Sequence, residues 1–115
     1  MTVHVPRRPY VEALPGIPTI RVFEALACGI PLVSAPWHDS EGLFPANAFL
    51  RAADGEEMMA HLAALASDAA VRRELIATGL HAIQARHTCA HRVDELLAIH
   101  AEIRGAGRQE LQACA

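Results

Sequence analysis

The sequence predicts an α/β fold, with short parallel strands in its first half and mostly helices in its second. Three observations carry this. Short apolar or β-branched runs at residues 2–5, 31–35 and about 48–52 have strand length. A helical segment separates the first two, and strand, helix and strand within this length suggest an α/β unit with parallel pairing. From Asp54 onward the apolar residues recur at helical spacing.

Each element has a local cause. The strand at 2–5 is cut off by Pro6, and Arg7 and Arg8 follow. Pro6, Pro9, Pro15, Gly16 and Pro18 then crowd a stretch that reads as loop, without regular structure. A helix runs from about Thr19 to Cys28. Pro18 suits its start, where a missing N–H does no harm. Gly29 ends it as a left-handed cap residue. PLVSA, residues 31–35, reads as a buried strand. An irregular stretch, residues 36–45, carries Trp37, His38, Asp39, Glu41 and Phe44.

The helical half has clear caps. Asp54 caps a helix to about Ala66, with Glu56 and Glu57 at its positive end and Met58, Met59, Leu62 and Leu65 as its apolar stripe. Ser67 and Asp68 cap the next, which places Val71, Leu75, Ile76 and Leu80 on one face. Gly79 is expected to bend or interrupt it. Thr88 caps a last helix bearing Val93, Leu96, Leu97, Ile99 and Ile103. Residues 105–115 read as a small, polar, flexible tail after a domain spanning 1–104. Three strands make a poor independent sheet. The layout therefore reads as the C-terminal part of a larger α/β domain. An open sheet edge at 31–35 or at Val3 is expected to drive self-association.

The composition of the 115 residues excludes several classes. A formal charge of −3 without a basic run argues against a nucleic-acid or membrane-surface binder. With 52% hydrophobic but 4% aromatic residues, the core must be mostly Ala, Leu, Ile and Val. Cys28, Cys89 and Cys114 show no metal or disulfide spacing. Reduced thiols, the lack of a basic-then-apolar opening segment and the lack of a long apolar run lead us to expect a cytoplasmic protein without a membrane span.

Glu24 is the first candidate for chemistry. It sits in an apolar helical segment, where an acid costs energy unless paired. Its helical neighbours are Ile20, Arg21, Ala27 and Cys28. It either pairs with Arg21 on a solvated face or accepts hydrogen bonds from the hydroxyls of a ligand, as on a ribose. The segment from Gly16 to Thr19 is the second. A glycine turn running into a helix exposes backbone N–H groups at the positive end of the dipole, which favours a phosphate. Alone it also suits an ordinary loop-to-helix junction. In HTCAH, His87 and His91 are four apart, but the third ligand and the general-base glutamate of a zinc protease are absent, so no metal is expected. In PWHDSE, His38 and Asp39 lie after a parallel strand, where α/β folds place ligands. The alternative is a solvated loop anchored by Trp37 and Phe44.

GIPTIRVFEALACGIPLVSAPW, residues 16–37, resembles the helix–glycine–strand segment of the C-terminal domain in GT-B-fold glycosyltransferases. HVPRRPY and the helical segment 68–97 are similar to the bacterial spore-maturation CgeB-like group, and the likeness covers about residues 2–104. It implies a partial Rossmann-like donor-binding domain of a nucleotide-sugar-dependent glycosyltransferase. The donor is then a substrate, no cofactor is implied and the acceptor is unknown. Glu24 would bind the donor ribose, and the backbone of Gly16, Pro18, Thr19 and Ile20 would lie by its phosphates. Many retaining members carry a second glutamate where this chain has Gly16, so the resemblance assigns no catalytic residue. An isolated chain of this length is expected to be inactive. A sugar-nucleotide epimerase and a non-catalytic interaction module that kept the fold are the alternatives.

Overall fold

The computed structural model describes residues 1–14 and 16–105 in full, and residues 106–113 by their backbone. In chain order the elements are β1 (Thr2–His4), α1 (Arg8–Ala13), α2 (Ile20–Ala27), β2 (Leu32–Ser34), β3 (Leu50–Arg51), α3 (Gly55–Ser67), α4 (Ala69–Arg86) and α5 (Cys89–Ala113). The strands form one parallel sheet in the order β1-β2-β3. Thr2 pairs with Leu32 and His4 with Ser34; Val33 pairs with Leu50. The fold is therefore α/β, with short parallel strands followed by helices.

Strands of two or three residues gain little from their own hydrogen bonds; packing on both faces holds them. Side chains alternate across a strand, so the neighbours Leu32 and Val33 enter different cores. Leu32 joins Val22, Ala25 and Leu26 of α2 with Phe44, Phe49 and Ala82. Val33 joins Ala52, Leu65 of α3 and Leu75 of α4. Burying each such side chain contributes about 1.5–3 kcal/mol.

Local chemistry ends and starts the helices. Gly29, at φ 63°, closes α2: its N–H donates to Leu26 O at 3.1 Å, and Ile30 N–H to Ala25 O at 2.9 Å. These are the paired bonds of a Schellman cap. The Asp54 carboxylate accepts from Glu57 N–H at 2.9 Å, while the Glu57 carboxylate accepts from Ala53 N–H at 2.7 Å. Asp68 accepts from the N–H groups of Ala70 and Val71 at the start of α4. Thr88 Oγ1 accepts from His91 N–H at 3.5 Å at the start of α5.

Two expectations need correction. The proline-rich stretch holds a short helix, α1. Pro9 lies in its first turn, where proline is tolerated, and Arg8 pairs with Glu12 one turn on at 3.3 Å. Gly79 does not interrupt α4, which is continuous. A Cβ there would lie 2.8 Å from Leu26 Cδ2, so glycine permits close packing on α2. The chain divides into two compact units, Met1–Ala85 and Arg86–Ala115. In the second, Val93, Leu96, Leu97, Ile99 and Ile103 of α5 are exposed. The backbone of residues 105–113 is helical; the rest of the expected polar tail lies outside the described residues.

Candidate functional site

A cavity of about 710 Å³ opens where the chain leaves β1 and enters α2. Gly16, Pro18, Thr19 and Ile20 all line it. Arg7, from the loop after β1, and Arg21, from the first turn of α2, line it too, with His38 from the loop after β2. Among the described residues no carboxylate lines it. The chain as a whole carries −3, so this cavity is cationic against the overall charge. Neither arginine side chain makes an ion pair among the described residues.

Gly16 is buried at φ 89°, a conformation that favours glycine, and a Cβ there would meet Ser40 Oγ. A side chain at this position would be strained by the backbone conformation and would also crowd His38 O, 3.3 Å from the Cβ position.

Glu24 lies elsewhere. It is exposed on α2 and lines a smaller adjoining hollow of about 180 Å³ with Thr2 and Cys28. Val3 and Arg21 line both spaces. The buried-acid premise therefore fails. The apolar residues around Glu24 in sequence turn inward as Val22, Ala25 and Leu26, while its own face is solvated. Its carboxylate makes no hydrogen bond or ion pair among the described residues, so the Arg21 pairing is not formed either.

Beneath the cavity lies a polar chain that the sequence reading passed over. His4 is 2% exposed and Ser34 is fully buried. His4 Nδ1 stands 2.9 Å from Ser34 Oγ, and His4 Nε2 stands 2.9 Å from Thr19 Oγ1. The Ser34 hydroxyl donates to Ala35 O at 2.9 Å. Burial, reinforced by the charge of Arg21, holds the His4 pKa below the usual 6.5, so the ring is neutral at neutral pH. The available signal was a histidine on a strand of strict in–out alternation, in register with a serine. That register becomes visible only once β1 and β2 are paired.

The loop after β2 divides its roles. Asp39 is structural: its carboxylate accepts from Leu43 N–H at 2.8 Å and Phe44 N–H at 3.2 Å. Trp37 stacks on Phe49 with ring centres 6.3 Å apart and meets Phe44 edge-on at 6.5 Å, so the aromatic-anchor reading holds. His38 alone of the His38–Asp39 pair lines the cavity. His91 Nδ1 is bonded to Thr88 Oγ1 at 2.7 Å, and among the described residues no three metal-ligating side chains gather.

Compared with known proteins, residues 1–98 match the model of a family described as glycosyl transferase-like. No curated protein and no solved structure gives a match.

Proposed function

The chain belongs to the glycosyl transferase-like family, and on that premise we propose that it binds a nucleotide-sugar donor for glycosyl transfer. The observation that carries this reading is the carboxylate-free cavity lined by Arg7 and Arg21 at the N-terminus of α2. Two guanidinium groups and the positive end of a helix dipole suit a diphosphate. Gly16, Pro18, Thr19 and Ile20 bring their backbone to it.

Glu24 is proposed as the ribose acceptor. It stands four residues beyond Ile20, about 6 Å along the helix axis, on the exposed side of α2. A donor with its diphosphate in the cavity would extend over Arg21 to reach it. An exposed, unpartnered carboxylate accepts two neighbouring hydroxyls without first breaking a protein contact.

The test is calorimetric titration with UDP, GDP and their sugars. Binding should fall about tenfold to a hundredfold in Glu24→Ala, the value of a hydrogen bond to a charged group, with thermal stability unchanged. No binding to any nucleotide would overturn the donor reading. It would favour a non-catalytic module instead, which the glycine at position 16, where many retaining members carry an acid, supports. We further propose that the isolated chain binds donor without transferring it, and measured sugar transfer would refute that.

A further inference from the structure

The bonding around His4 can be assigned atom by atom. Ser34 has one hydroxyl proton, and it goes to Ala35 O. Ser34 Oγ must then accept at its contact with His4, so Nδ1 of His4 carries the ring proton. In the neutral ring Nε2 is left with a lone pair, and Thr19 donates its hydroxyl proton to it.

Thr19 is the N-cap residue of α2. A threonine in that position ordinarily turns its hydroxyl to accept from an N–H of the first helical turn. Here it makes no such bond. Val22 N–H is satisfied by Thr19 O, whereas the N–H groups of Ile20 and Arg21 have no partner among the described residues. The side chain that would normally turn back over this helix start is instead tied down to the sheet.

We propose that His4 is a positioning residue for donor binding: by holding the Thr19 hydroxyl, it keeps the start of α2 uncapped and open to the donor diphosphate. This rests on the donor reading above. It predicts a specific pattern in a pair of variants. In His4→Asn the shorter amide can still donate to Ser34 but no longer reaches Thr19. The freed hydroxyl then caps α2 and competes with the anion. Adding Thr19→Val to His4→Asn removes the competing hydroxyl while keeping the side chain's shape.

The experiment titrates inorganic diphosphate and UDP into wild type, His4→Asn and the His4→Asn/Thr19→Val double variant. His4→Asn should bind both probes about fivefold more weakly, the worth of one cap hydrogen bond. The double variant should recover most of that loss. A purely structural role for His4 gives the opposite order, because a second substitution in the same network would weaken binding further. If wild type binds and His4→Asn binds equally well, or the double variant is weaker than the single one, the His4 proposal fails while the donor reading stands. If wild type binds neither probe, the donor reading fails and takes this proposal with it. Should the Asn variant not fold, nitrogen chemical shifts of His4 in the unliganded wild type decide the matter. A protonated Nδ1 and an accepting Nε2 support the proposal, and the reverse tautomer overturns it.

Discussion

At the scale of single residues, burial decides what each polar group can do. Glu24 stands among apolar neighbours in the sequence but is exposed, since α2 turns only one face inward. His4 reads as unremarkable in the sequence, yet it is among the most deeply buried polar side chains described. Its lowered pKa has a consequence for stability. In the unfolded chain His4 titrates near 6.5; in the folded chain it titrates lower. Below the unfolded value the unfolded state binds more protons, so stability falls as pH falls. The His4 contribution is complete above about pH 6.5 and is lost as pH drops towards the folded value. Denaturant unfolding followed from about pH 7.5 to about pH 5.5 should show this decline, and His4→Asn should flatten it. An unchanged slope would mean that His4 is not buried as a neutral ring. Asp68 acts in a different range. Its carboxylate accepts from two N–H groups and its pKa is lowered from 3.8, so its effect is lost only in stronger acid.

At the scale of elements, the sequence was most legible where helices begin and end. Asp54, Asp68, Thr88 and Gly29 all act as their residue types require, because a cap involves groups within four or five positions of each other. Prolines were less legible. Pro9 breaks a helix interior but fits a first turn, and only the turn itself distinguishes the two. Gly79 is another such case. Within a helix, replacing glycine by alanine normally gains about 1 kcal/mol. Here the added methyl would meet Leu26, itself 2% exposed, at 2.8 Å and Ala48 O at 3.4 Å. Overpacking of a filled core costs about 1–3 kcal/mol, so Gly79→Ala should be net destabilising. A raised midpoint of thermal unfolding would show that α4 and α2 have slack between them.

At the scale of the whole molecule, both outer strands of the sheet are paired on one side only among the described residues. The expectation of an open edge at Val3 therefore applies, whereas Leu32–Ser34, within the run 31–35, form the central strand. Val3 is 45% exposed, and Val5, Tyr10 and Ile17 add exposed apolar surface nearby. Unprotected edges of this kind invite pairing with another copy. Light scattering should show association that grows with concentration, and Val3→Lys should suppress it by placing a charge on the edge strand. A monomer at every concentration would refute the idea.

The sequence by itself determined the order of the three strands and of every helix except α1, the caps of α2 to α5, the glycine turn before α2 and the likeness to glycosyltransferases. All of these arise from contacts within a few residues or from a contiguous motif. Only the tertiary structure decided that Arg7 and Arg21 share a cavity free of carboxylates, that Glu24 faces outward beside it, and that His4 joins Ser34 to Thr19. His4 and Ser34 are 30 residues apart in the chain. What brings them together is the parallel register of β1 on β2, and that register is set by two hydrophobic cores closing on opposite faces of the sheet.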